Sequence, residues 1–189
     1  MVSLLLIILL DLLISRKRKR NAEQWAELEE QRRLARIAEL QRLAELEEQR
    51  TQTLNAVTNA NRGTDSEHEL ILSLLEYGIQ AKAIFHDLYF RKPNGGYSQV
   101  DVVVATNVGI IVFEVQDYSG WIYGNGMDDM WTQVLAYGQE KHRFYNPIKQ
   151  NFGHINTIKN TLKQFENIPF YSVIVFYGSN ELENVYNIP

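Results

Sequence analysis

Tyr97-Ser98-Gln99-Val100-Asp101-Val102-Val103-Val104-Ala105-Thr106-Asn107-Val108-Gly109-Ile110-Ile111-Val112-Phe113-Glu114-Val115-Gln116 reads as a β-hairpin carrying two carboxylates. Two runs rich in Val and Ile, 100–105 and 110–115, flank Thr106-Asn107-Val108-Gly109, and Gly109 supplies the positive φ that a short hairpin loop needs. With a loop of two or four residues the cross-strand partners sum to 215. Asp101 then faces Glu114 and Gln99 faces Gln116, with side chains about 5 Å apart on one face of the sheet. A three-residue loop slips this register by one. Two acids side by side among Val and Ile repel each other and raise one pKa unless a cation sits between them. A divalent cation, which takes carboxylate oxygen ligands, answers that need. The plainer reading is a pair of solvent-facing acids on an ordinary hairpin.

The rest of the chain bounds the setting of this hairpin. Its 189 residues leave room for one domain of about 100 to 150 residues plus extensions. The aromatic residues come almost entirely after residue 76, with Trp25 the one exception, so the capacity to build a core lies in the C-terminal two-thirds. Cysteine is absent, which excludes disulfides, thiol catalysis and Cys-based zinc or iron–sulfur sites. Residues 1–63 hold 11 Lys or Arg against 9 Asp or Glu, whereas residues 64–189 hold 8 against 14. A domain at −6 repels polyphosphate at long range, so contact with nucleic acid has to rest on local basic patches or bound metal.

Residues 1–15 are an apolar run interrupted by Asp11 and closed by Arg16-Lys17-Arg18-Lys19-Arg20. Residues 1–20 are therefore expected to form a hydrophobic membrane anchor, with the five cations holding the following chain on the cytoplasmic side. A peripheral hydrophobic tether is the other reading of so short a run, because spanning takes about 20 residues. A cleaved signal peptide fits worse, since no basic segment precedes the run and no small-x-small site follows it. Residues 21–57 have almost no turn formers and predict one long helical stalk. Ala26-Glu27-Leu28-Glu29-Glu30-Gln31-Arg32 recurs at 44–50, an offset of 18 residues or five helical turns, which puts both copies on one face. Leu28, Ala35, Leu40, Leu43, Leu46 and Leu54 make an interrupted apolar stripe, for which a dimeric coiled coil and a solvated spacer helix are the two readings.

Residues 58–63 read as a linker, and 64–189 as the domain. Thr64 or Asp65 caps a helix with Leu70, Leu74 and Leu75 on its buried face, stopped at Gly78. A strand over 83–90, a turn at Pro93-Asn94-Gly95-Gly96 and the hairpin follow. Residues 117–145 read as irregular, with short strands. Asn146-Pro147-Ile148 opens a helix reaching about Phe165, and 170–177 is a buried strand. The order is α-β-β-β-α-β, an α/β fold.

An acid on the first helix and two more on the hairpin match a nuclease-type metal site. Glu67, Asp101 and Glu114 would hold one or two Mg²⁺ (or Mn²⁺) ions, which lower the pKa of a bound water and stabilise an in-line phosphodiester displacement. Such sites usually add a Lys two residues after the second acid, and here Gln116 stands in that place. With Ser66-Glu67, Leu70, Leu74, Gln99 to Val104, Gly109 to Val115, Tyr118 to Gly124, Trp131, Asn146 to Gln150 and the strand 172–176, residues 63–179 resemble the nuclease-related domain, or NERD, family of the restriction-endonuclease-like superfamily. The resemblance implies a restriction-endonuclease-like αβββαβ core. Glu67, Asp101 and Glu114 become its acidic site residues and Gln150 an accessory polar residue. It also implies nucleic acid, DNA or RNA, as substrate, and a setting next to a membrane segment. Two departures stand out: Gln116 for the usual Lys, and Ser66 where Gly commonly precedes the glutamate. Gln116 opens a second reading, a catalytically silent module that binds nucleic acid or protein.

Other residues carry weaker signals. His68, His86, His142 and His154 are scattered and lack metal-ligand spacing, and His154, one turn after Gln150, is the one best placed to line the site. Lys149, Lys159 and Lys163 are taken as solvated, Gly124 and Gly126 as turn residues, and Trp121 and Trp131 as core.

Overall fold

The computed structural model describes residues 2–59, 61–92, 95–165 and 167–189, and for residues 2–9, 11 and 136 the backbone alone. Pro93 and Asn94 of the expected turn lie outside the described residues. The chain divides into two compact units, 1–49 and 50–189. Helix α1 (Val2–Leu54) supplies the first unit and the opening of the second. The expected stalk is thus a single helix that continues through the basic block Arg16–Arg20. Leu28, Leu40, Leu43 and Leu46 on it are exposed. The side chains of residues 2–9 and 11, where most of the apolar run 1–15 falls, lie outside the described residues. Among the described residues no helix is long and apolar enough to cross a membrane. Fifteen residues of helix span only about 22 Å, short of a hydrocarbon core of about 30 Å.

In the second unit, α2 (Asp65–Glu76) is capped by Thr64, whose hydroxyl accepts the Glu67 N–H. Then come β1 (Ile84–Arg91), β2 (Tyr97–Thr106) and β3 (Gly109–Asp117), followed by β4 (Gly120–Asn125), β5 (Met130–Leu135) and β6 (Glu140–Tyr145). Helix α3 (Pro147–Thr161), β7 (Phe170–Tyr177) and β8 (Asn180–Tyr186) complete the chain. The stretch 117–145, expected to be irregular with short strands, is built mostly from three strands of six residues each. Together with β8 they form a second sheet in the order β6-β5-β4-β8, while the first sheet runs β1-β2-β3-β7. The sequence hid this because β4 to β6 carry Gly120, Gly124 and a charged, exposed β6 in place of a Val/Ile run. Helix α3 also stops four residues short of Phe165, its end passing into a 3₁₀ turn.

The hairpin takes the register that sums to 215, from Thr106↔Gly109 to Val102↔Phe113. Gly109 is required there: its φ is 149°, and a Cβ would lie 2.4 Å from the Pro169 carbonyl oxygen. The paired ladder ends at Val102↔Phe113, so Asp101 lies one step beyond it, and the expected Gln99–Gln116 pairing is not formed. The β1–β2 ladder is likewise interrupted opposite Asp101, at Asp87, whose φ of 52° is left-handed. A regular strand sends residues i and i+2 to one face. Here Val102 packs with Leu70, Ile71 and Ile84 on the α2 side, whereas Val100 packs with Ile155 and Ile158 on the α3 side. Asp101 thus sits where β2 changes the face it presents, flanked by valines whose burial is worth about 2 kcal/mol each.

Two buried asparagines fix α3 against the sheets. Asn146 caps the helix by accepting the Ile148 N–H, and its Nδ2 donates to the carbonyls of Asn125, Gly126 and Asp128 in the β4–β5 turn. Asn151 Nδ2 donates to the Val112 and Val173 carbonyls and to Ser172 Oγ, so the helix is tied to β3 and β7. Gln150 and His154, four residues apart on one helical face, are thereby aimed at β3.

Candidate active site

Glu114 is 2% exposed, yet it is a carboxylate with no Lys or Arg partner among the described residues. Its Oε1 accepts from Gln116 Nε2 at 2.9 Å and from Gln150 Nε2 at 2.5 Å. Its Oε2 lies 3.1 Å from His154 Nε2, but neither atom satisfies hydrogen-bond geometry. His154 is held from its other side by Ser98, whose Oγ is 3.0 Å from Nδ1.

Asp101 feels this charge. Burial, and then the negative charge of Glu114, push its carboxyl from 3.8 up to about 7. The Val115 N–H, donating to Asp101 Oδ2 at 2.9 Å, opposes the rise. Glu67 adds to the upward push from α2. Tyr118 follows the same pattern, its hydroxyl raised first by burial and then by Glu114.

Glu67 is buried too, but its carboxylate is already engaged. Thr64 Oγ1 lies 3.0 Å from Oε1, and His86 Nε2 lies 2.7 Å from Oε2. His86 projects from β1 opposite Val102, on the α2 side of the sheet, while Glu114 faces α3. Of the three acids expected to converge, Glu67 and Glu114 therefore act on Asp101 from different sides. Among the described residues no three His, Asp or Glu side chains gather into a metal-binding cluster.

The donor set still suits a hard divalent cation at Asp101 and Glu114. Mg²⁺ keeps several waters and needs only one or two protein carboxylates, the rest of its shell coming from solvent and substrate phosphate. A half-buried Asp101, raised to about 7 by burial and then by Glu114, and a buried Glu114 whose Oε2 is left without a hydrogen bond have the character of such a pair.

Of the residues singled out from sequence, Glu114, Gln116 and Gln150 are in direct contact, Asp101 is coupled to them by charge, and Glu67 stands with His86. Gln116 is not directed at open space: its amide secures Glu114. His154 lines the site as its position one turn beyond Gln150 suggested, and His86, dismissed as scattered, proves to be a buried partner of Glu67. No spacing rule could find His86, because only the β1–β2 register brings it beside α2. Lys149 is committed to Asp129 and the Met127 carbonyl, and Lys159 lies 5.0 Å from the centroid of the Phe170 ring. Trp131 is core, stacked on Phe176, whereas Trp121 is only half-buried.

An uncharacterized protein of Bacillus anthracis is 31% identical over 102 residues, 54% of this chain and 46% of that protein, so the chain spans about half the length of this relative. No solved structure matches. The nuclease-related domain model matches residues 62–177, from the residue before Gly63 to the end of β7, taking in Glu67, Asp101, Glu114, Gln116 and Gln150. With more than half of its length matched, the chain belongs to the nuclease-related domain (NERD) family.

Proposed function

We propose that the chain hydrolyses phosphodiester bonds in nucleic acid with a divalent cation, Mg²⁺ or Mn²⁺, held by Asp101 and Glu114, with Glu67 as the third acid. The observation that carries this reading is the half-buried Asp101 beside the buried Glu114: burial, and then the Glu114 charge, raise Asp101 to about 7, with no Lys or Arg partner to Glu114 among the described residues to relieve it. When bound, the cation would supply Lewis acidity toward a phosphoryl oxygen and a water of lowered pKa. The chain's own residues do the positioning. Gln116 and Gln150 both donate to Glu114 Oε1, which fixes the carboxylate plane and leaves Oε2, beside His154 Nε2, without a hydrogen bond. The Val115 N–H fixes Asp101 in the same way.

Gln116 also supports a second reading. A neutral amide committed to Glu114 cannot provide the positive charge that a Lys would offer a pentavalent phosphate, so a binding module without turnover is its natural alternative. A cleavage assay on single- and double-stranded DNA and RNA with Mg²⁺ or Mn²⁺ separates the two. Metal-dependent cleavage that falls by at least 100-fold in Glu114→Gln is the expected result. No cleavage by the intact chain, or cleavage indifferent to Glu114, refutes the enzymatic reading and leaves the binding one.

The apolar N-terminal run and the cations behind it support attachment of the chain to the cytoplasmic face of a membrane through residues 1–20. The exposed leucines of α1 support self-association through the helix.

A further inference from the structure

Glu67 is held by a chain of contacts that begins outside the core. Its Oε2 is 2.7 Å from His86 Nε2, and His86 Nδ1 is in turn 2.6 Å from Thr58 Oγ1. An ionised carboxylate only accepts, so Nε2 carries the hydrogen and donates to it, and Nδ1 accepts the Thr58 hydroxyl hydrogen. The carboxylate sets the tautomer, and Thr58 supplies a donor to the ring nitrogen that this leaves free to accept. Thr58 lies in the segment between α1 and α2, which two further contacts secure. Arg62 Nε and its guanidinium NH2 donate to Asp87 Oδ2 and to the Asp87 carbonyl, each at 2.9 Å. The Arg62 carbonyl is also 2.6 Å from His68 Nε2.

The backbone of this segment closes directly over the His86–Glu67 bond. Gly63, at φ 78°, has so little room that a Cβ would lie 2.4 Å from His86 Nε2 and 2.6 Å from Glu67 Oε2. His86 is buried, and Asp87 beside it takes the left-handed conformation that breaks the β1–β2 ladder opposite Asp101. The acid, its histidine, the hydroxyl and the glycine form one fitted unit.

We propose that His86, oriented by Thr58, is the positioning residue of the Glu67 carboxylate, which makes Thr58 and Gly63 part of the site. The proposal rests on the reading of Glu67 as a metal-holding acid. Carboxylates that ligate metals are themselves held by hydrogen bonds, and removing such a partner commonly costs 10- to 100-fold in metal affinity.

The test is Mn²⁺ binding to the full chain, with free Mn²⁺ followed by electron paramagnetic resonance. His86→Ala is expected to weaken binding roughly 10- to 100-fold and Thr58→Val about 10-fold, while Thr58→Ser, which keeps the hydroxyl, stays within about twofold of the unmodified chain. Because Thr58 acts through His86, adding Thr58→Val to His86→Ala brings no further loss. Thr58 is only half-buried, so the Val and Ser pair decides the matter even if His86→Ala does not fold. Unchanged affinity in Thr58→Val, or Thr58→Ser as weak as Thr58→Val, overturns the proposal. If the unmodified chain binds no Mn²⁺, the metal-site reading fails first and this one falls with it, an outcome separable from the others because that chain is measured alone.

Discussion

Asp101→Asn should stabilise the metal-free protein, and only above the acid range. With its folded-state pKa raised from 3.8 to about 7, Asp101 keeps its proton in the folded chain where the unfolded chain has already lost it. Between about pH 4 and pH 7 the native state therefore binds more protons than the unfolded state, and stability falls as pH rises. The span from 3.8 to about 7, at about 1.4 kcal/mol per pH unit, sets a ceiling of about 4 kcal/mol. Asp101 is only half-buried and water can relax around it, so about 2 kcal/mol is the expected loss, or about 6 °C in a unit of this size. Asn keeps an oxygen for the Val115 N–H and carries no charge. Unfolding in urea with chelator present, at pH 4 and pH 8, gives the comparison. The two proteins should be close at pH 4, and the Asn variant should be more stable at pH 8. Millimolar Mg²⁺ at pH 8 should then raise the unmodified protein and leave the variant nearly unmoved. A difference that does not change between pH 4 and 8, or an Asn variant that is the less stable at pH 8, would refute the assignment of the strain to Asp101 ionisation.

Two further outcomes are expected. Gln116→Lys, measured by metal-dependent cleavage rate, should preserve or raise activity because the new ammonium stands where Gln116 already reaches Glu114; a loss of activity contradicts the role given to that position. On fractionation of cells at high salt, the full chain should stay with membranes and a chain starting at residue 21 should not; a fully soluble intact chain sinks the attachment proposal.

The first sheet was legible because its signals are local. Val and Ile runs mark β2 and β3, Gly109 sets the loop, and the pairing sum follows from the loop length. Thr64 before Asp65, and Asn146 before Pro147, announce both domain helices. The second sheet was not legible, because its strands lean on Trp131, Ile122 and Ile148 packed across the chain rather than on alternation within each strand. The same divide runs through the site. Glu114 and Gln116 could be named from their place on the hairpin and Gln150 from the family resemblance, whereas His86 and Ser98 could not, since they are buried polar residues whose partners lie 19 and 56 residues away. Asp101 was correctly placed near Glu114, but its pairing was misjudged. A pairing sum assumes an unbroken ladder, and the β2–β3 ladder ends at Val102↔Phe113, one step short of Asp101.

The departure at position 116 bears on the protonation of Asp101 through Glu114. An ammonium on residue 116 would lie within reach of Glu114 Oε1, where the Gln116 amide already makes a 2.9 Å contact. It would offset the Glu114 charge that, after burial, contributes most to raising Asp101. With a neutral amide there, the pair keeps its repulsion, and a metal-free site holds its proton near neutral pH. The proposed divalent cation would supply the positive charge that Gln116 lacks and draw Asp101 back toward the carboxylate range. It follows that Gln116→Lys should shrink the pH-dependent gain of Asp101→Asn. A gain of equal size in both backgrounds would show that burial alone, without Glu114, sets the proton affinity of Asp101.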